Sequence, residues 1–328
     1  MKNTLNDNGV FVISLDLELL WGVWDVASKN GSYVANIEGV KGVIPSLLQI
    51  FASYNIKATF ATVGFLFAKN KEELLASFPD TKPVYTNLKY NVYLNEIDSI
   101  GFDETDDSLH FGYSLLQMIM NSEHEIGTHS HSHYYCLEAG QDSKSFEADL
   151  QAAIKIAANK NIGLQSFVFP RNQVNEGYLD ILYNNGIKAY RGNPTSWIYK
   201  PRRFAAGVLF IRLFRLLDAY FPISGMNGHT ITKQNGKPTN IAASRFMKPW
   251  FKPLSWFEPL RLYRIKHEMT YAAKNNKLYH LWWHPHNFGK NLEKNISNLS
   301  ILLKHYQMLN RKYNFTCCTM QEAAAKAT

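Results

Sequence analysis

The stretch Glu125-Ile126-Gly127-Thr128-His129-Ser130-His131-Ser132-His133 puts three histidines and three hydroxyl side chains into six consecutive positions. As the start of a helix it would stand His129 and His133 four apart on one face, in joint reach of one metal ion, with His131 pointing roughly the other way. As an extended segment it would put all three imidazoles on the same face. A polar surface turn with incidental histidines accounts for one isolated HxxxH as well. A second cluster of suitable chemistry lies far upstream. Val10-Phe11-Val12-Ile13-Ser14-Leu15 reads as a buried parallel strand, and Asp16 and Glu18 follow at its carboxyl end, where α/β proteins place ligand-binding groups. With His129 and His133 this pair supplies metal ligands and a general base, the minimum for metal-assisted hydrolysis.

Ser14-Leu15-Asp16-Leu17-Glu18 followed by Gly127-Thr128-His129-Ser130-His131-Ser132-His133 resembles the polysaccharide deacetylase family, the NodB-homology or carbohydrate esterase family 4 group. Phe169-Pro170-Arg171-Asn172 looks like its arginine-bearing third motif, and Trp283-His284-Pro285 like its late histidine motif. The resemblance implies an α/β fold, an irregular (β/α) barrel of about seven strands. It implies that Glu18, His129 and His133 hold a divalent metal, zinc first among the candidates, and that Asp16 is the base. It further implies that Arg171 orients Asp16 and that His284, as imidazolium, protonates the departing amine; Trp283-His284-Pro285-His286 offers two histidines, which makes His286 the fallback acid. The expected reaction removes an N-acetyl group from an amino sugar in a polysaccharide or carrier-linked glycan precursor.

Two features depart from the family pattern. Glu18 stands where aspartate is commoner, which leaves open whether Asp16 or Glu18 is the base. Gly192-Asn193-Pro194-Thr195-Ser196-Trp197 keeps the tryptophan of a later motif but not the aspartate that tunes the acid histidine, so another group must orient His284. The alternative class is therefore a non-catalytic carbohydrate-binding relative. Trp21 and Trp283 are candidate sugar platforms beside His286; Trp21 and Trp24 serve equally well as caps on the barrel.

A chain of 328 residues without a Ser/Gly/Pro-rich linker fits one barrel-sized domain spanning 1–328 with insertions. Cys136, Cys317 and Cys318 are odd in number and lack metal-ligand spacing, which argues against a disulfide framework and a thiolate zinc site. The amino terminus lacks a signal-peptide pattern and no window is apolar enough to span a bilayer, so a cytoplasmic location is expected.

From Lys200 to Lys266 thirteen Lys and Arg face only Asp218 and Glu258, a net +11, whereas the whole chain is +8. The remainder is therefore slightly acidic. Phe204, Leu209, Phe210, Phe214, Trp250 and other large apolar residues are interleaved with these charges. The region at about 200–266 reads as a basic, aromatic insertion. Its first helix suits either an ordinary barrel helix with basic solvent-facing residues or one resting on anionic lipid, in peripheral contact with an inner membrane. No nucleic-acid motif accompanies the charge, so nucleic acid is not expected as a partner.

Overall fold

The structure is a computed structural model that describes residues 8–27, 31–203 and 208–327. The amino-terminal residues 1–7, Phe204 and the side chain of Leu209, all used above, lie outside what it describes. Among the described residues nine strands make one sheet: β1 (Val10–Leu17), β2 (Ala58–Thr62), β3 (Glu125–Thr128), β4 (Ser166–Val168), β5 (Ala189–Arg191), β6 (Thr239–Asn240), β7 (Arg245–Phe246), β8 (Leu278–Trp283) and β9 (Thr316–Cys318). Their order is β6-β5-β4-β3-β2-β1-β8-β7, with β9 also on β1, and every pairing between them is parallel. This is the expected barrel-type α/β sheet, with two short strands more than the expected seven.

All eight residues of β1 are buried, as a strand covered on both faces requires. The strand runs further than its apolar pattern indicates and carries Asp16 within it, so only Glu18 lies past its end. The helix Val40–Tyr54 buries Val40, Val43, Ile44, Leu47 and Phe51 at spacings of three and four, and Asn55 ends it in the left-handed region at φ 52°. The helix Ser143–Ala158 begins with a capping box made by Asp142 and Ser145 and buries Phe146, Leu150, Ala153 and Ile156 against the sheet.

Part of the basic stretch belongs to the barrel itself. The amides of Ile241 and Ala243 donate to Tyr190 and Gly192 beside β5, while those of Ser244 and Met247 donate to His280 and Trp282 of β8. The segment from Thr239 to Met247 thus runs along one sheet edge with its first half and along the other with its second, joining the two edges.

Candidate functional site

The carboxyl ends of β1, β3, β5 and β8 converge on one cavity of about 510 Å³. Asp16, Glu18, His133, His284 and His286 line it. Glu18 leaves β1 with an unusual backbone, followed by Leu19 at φ 46°, and its carboxylate folds back over Gly22. A Cβ at position 22 would lie 2.0 Å from the Glu18 carboxyl carbon, so only glycine admits this side-chain position.

The histidine stretch is neither helix nor strand beyond Thr128. Ser130 and His133 adopt left-handed φ values of 61° and 56°, which turn the chain twice within four residues. Such conformations cost non-glycine residues on the order of 1–3 kcal/mol and persist only when held. The buried carboxylate of Asp149 holds them, accepting from the amides of His131 (2.7 Å) and Ser132 (3.1 Å) and from the Ser132 hydroxyl (2.5 Å). The Ser130 hydroxyl accepts from the amide of Tyr134 at 2.7 Å. His131 turns away from the cavity to Ser77, with Gly64 packed so tightly on its ring that a Cβ there would come within 2.4 Å of Nδ1.

His129 and His133 bring their Nε2 atoms to 3.4 and 3.3 Å from the same Glu18 oxygen, Oε2. Nδ1–H of His129 donates to the Val168 carbonyl at 2.9 Å, which leaves the lone pair on Nε2 facing Glu18. Donors about 2.0–2.1 Å from a shared tetrahedral ion stand roughly 3.3–3.4 Å apart. The buried Glu18 Oε2 has no hydrogen-bond partner in the structure, an orphan that a cation would satisfy. The Glu18, His129 and His133 set therefore fits a divalent ion. On its other oxygen Glu18 meets His284 (3.6 Å) and His286 (3.9 Å), a second possible ligand set sharing the same carboxylate. Burial pushes the Glu18 carboxyl up, but His284 and then the neighbouring imidazoles of His129 and His133 outweigh it and hold it well below the usual carboxylate range.

Asp16 is held by Arg191, not by Arg171 as the motif implied. The Arg191 guanidinium, at the end of β5, makes a bidentate pair with both oxygens of Asp16 at 2.7 Å each and lies 4.1 Å over the Trp282 ring. Beneath it, Arg191 Nη1 also donates to the Ser14 hydroxyl (2.9 Å), Ser14 donates to His280 Nε2 (2.8 Å), and His280 Nδ1–H donates to the Ile241 carbonyl (2.8 Å). The direction of each bond follows from the arginine, which can only donate. Burial raises the Asp16 carboxyl, but Arg191 and then His129 outweigh it, so the carboxylate is lowered and ionised. Arg171, in the left-handed region at φ 54°, pairs with Asp25 at 2.5 Å and stacks 4.2 Å over Tyr135. It lines the cavity one step away from the reacting groups.

Both tryptophan assignments are also corrected. Trp283 is fully buried between Phe51 and Phe288, and Trp21 is buried between Phe65 and His110 with its indole N–H on the His110 carbonyl. Neither reaches the cavity. Alternation along β8 instead sends Trp282 inward with His280 and His284, and Trp282 is the tryptophan of the cavity wall. His284 Nε2 stands 3.6 Å from Asp16 Oδ2, and its Nδ1 faces the Asn287 side-chain oxygen at 3.3 Å. Asn287 is therefore the orienting partner absent from the Gly192–Trp197 segment, and it is uncharged.

Residues 37–190 match the family model described as polysaccharide deacetylase. A solved chain from Mycobacterium smegmatis, described as a candidate polysaccharide deacetylase, superposes with a TM-score of 0.62 at 12% identity, covering 98% of this chain and 93% of that one. A chain from Pseudomonas aeruginosa PAO1 with the same provisional description gives 0.56 at 8% identity, covering 97% and 90%. A 4-alpha-glucanotransferase from Thermococcus litoralis gives 0.51 at 12% identity, covering 98% of this chain and 41% of that one. At such identities these likenesses speak for the fold, and the fold serves more than one activity. No curated protein sequence matches the chain. The match bears out the resemblance and spans two of its four motifs, Gly127–His133 and Phe169–Asn172; Ser14–Glu18 and Trp283–Pro285 lie outside the matched residues.

Proposed function

From the match of residues 37–190 to the polysaccharide deacetylases, we propose that this protein is a metal-dependent hydrolase that removes the N-acetyl group from an amino sugar in a polysaccharide or carrier-linked glycan precursor. The observation that carries the reading is the approach of Glu18, His129 and His133 to one point beside an Asp16 held ionised by Arg191. A two-nitrogen, one-oxygen donor set suits zinc, which when bound would polarise the acyl oxygen and acidify the attacking water. Asp16 takes the proton from water as its oxygen bonds to the acyl carbon. His284 gives its Nε2 proton to the sugar nitrogen as the C–N bond breaks, yielding acetate and the free amine. Arg191 keeps Asp16 charged and fixed for the first step, and Asn287 aims the His284 ring for the second.

The test is acetate release over a panel of N-acetylated sugars and carrier-linked glycans. The wild-type protein releases acetate, and Asp16→Asn abolishes release while metal content stays near one ion per chain. The second reading, a carbohydrate-binding relative without activity, is favoured by the uncharged Asn287 behind His284. Equal acetate release by wild type and Asp16→Asn, with sugar binding retained, would establish it.

The reading includes a place of work in the cytoplasm, at the inner membrane surface. The helix Val208–Asp218 leaves Phe210 63% exposed, with Leu213, Leu216 and Leu217 also open to solvent; nearby Phe221, Phe251, Phe257 and Trp256 are exposed, the last at 91%. Apolar side chains beside a net positive stretch supply both terms of interfacial binding. Phe214 and Trp250 are partly buried, so the apolar contact falls mainly on the others. Among the described residues no helix is long and apolar enough to cross a membrane. Sedimentation with anionic vesicles should recover the wild-type protein in low salt and lose it with Phe210→Ser and Trp256→Ser. Equal recovery with neutral and anionic vesicles at low and high salt removes the electrostatic attachment.

A further inference from the structure

The cations of the basic stretch fall into two groups. Arg245 and Arg264 are buried and neutralised by Asp218 and Glu268, and Arg261 pairs with Glu258 within the helix Glu258–Lys274, which the Arg245–Glu268 pair ties to β7. Lys200, Arg202, Arg203, Arg212, Arg215 and Lys248 are different: they line the same cavity as Asp16 and Glu18. None of these six forms an ion pair with a carboxylate among the described residues. Four of them meet carbonyls and rings instead: Arg202 donates to Trp197 O, Arg203 to Leu137 O and Arg215 to Ile198 O, while Lys248 lies 5.8 Å from the Phe246 ring centre.

Lys248 and Arg215 are half-buried, so water screens their mutual repulsion only in part. Burial, followed by Arg261, Arg215 and Arg245, pushes the Lys248 ammonium down, and burial with Arg202 and Arg212 does the same to Arg215. Gathering unpaired cations on one cavity wall is unfavourable until an anion enters, and the cost is recovered as binding energy for that anion. Four guanidinium groups together with two ammonium groups match a phosphate better than a lone carboxylate. The forks bond two oxygens at once, and six cations exceed what a single negative charge can use.

We propose that the wall centred on Lys248 and Arg215 is a phosphate subsite, so that the amino sugar presented to Asp16 and Glu18 carries a phosphate or diphosphate ester. The sugar half of this statement rests on the deacetylase reading; the phosphate half does not. The exposed Arg212, which has no hydrogen-bond partner among the described residues, is the cleanest position to change, and Lys248 the most central.

The test measures binding by calorimetry to Asp16→Asn protein, which cannot turn over. The probes are inorganic pyrophosphate, N-acetylglucosamine 1-phosphate, a nucleoside diphosphate N-acetyl sugar, a short polyprenyl phosphate-linked N-acetyl sugar in detergent, and N-acetylneuraminic acid as carboxylate control. At least one phosphorylated probe should bind tighter than unphosphorylated N-acetylglucosamine, and Arg212→Gln and Lys248→Gln should each weaken it by about tenfold or more, as loss of a charged hydrogen bond does. Which phosphorylated probe binds tightest tells a lipid carrier from a nucleotide. The subsite is refuted if the carboxylate control binds as tightly as every phosphate, or if neither substitution weakens any of them. Phosphate binding sensitive to these substitutions in a protein that never releases acetate would keep the subsite and overturn the deacetylase reading.

Discussion

At the scale of single residues the site turns on which arginine holds Asp16. The motif Phe169-Pro170-Arg171-Asn172 pointed to Arg171, but the backbone there turns through left-handed conformations at Arg171 and Asn172 and delivers the guanidinium to Asp25. Arg191 does the work from the end of a three-residue strand, where no motif marks it. Replacing Arg191 by Gln leaves a buried carboxylate without its cation, a change that costs about 3–5 kcal/mol. Chemical unfolding should show that loss, and acetate release should fall with it. Arg171→Gln should leave the Asp16 pair intact and cost activity less, which separates the two assignments by direct comparison. The ligand candidates were legible because carboxylates and imidazoles at fixed spacing carry their chemistry in their identity. Arg191 and His280 were not, since a lone charged or ring residue in a short strand shows its partner only after the strands are assembled.

At the scale of elements, strand parity explains the tryptophans. The periodicity of Leu278–Trp283 identifies the strand and sets His280, Trp282 and His284 on one face, which excludes Trp283 from the cavity. The motif beside His284 had drawn attention to the wrong neighbour. The histidine turn was harder to foresee, because its shape depends on Asp149, sixteen residues past His133 on another element. Asp149 touches neither Glu18 nor the two candidate ligands, yet it ties down the turn between them. Asp149→Ala should lower stability by about 1–3 kcal/mol through the amides it strands. It should also weaken zinc binding, read by competition with a chromophoric chelator, while Asp149→Asn recovers part of both. Unchanged metal affinity in the alanine variant would show that the turn keeps its shape without the clamp.

At the scale of the whole molecule, buried neutral imidazoles set the response to acid. Burial pushes His131 and His280 down to about 3 and His124 to about 4, far below the value near 6.5 of an unfolded chain. Between roughly pH 6.5 and 4 the unfolded chain binds protons that the folded one refuses, so stability is full above that window and falls as pH drops through it. Each such group contributes up to about 1.4 kcal/mol per pH unit. Asp149, raised by burial to about 6, acts in the opposite sense between about pH 6 and 4, and offsets one of the three. Urea unfolding of the metal-free protein should therefore give a lower midpoint at pH 5 than at pH 7. The general barrel plan followed from alternating apolar runs and helices, but the way its perimeter is completed did not, because the strands concerned are two residues long. Amides at Ile241 and Ala243 find partners beside β5, and those at Ser244 and Met247 find them on β8, so the seam is satisfied only with both flanks present. Arg245 and Lys248 ride on that seam or just past it. The wall of the cavity at this seam consequently depends on both flanks of the sheet at once, and it belongs to neither half of the chain alone.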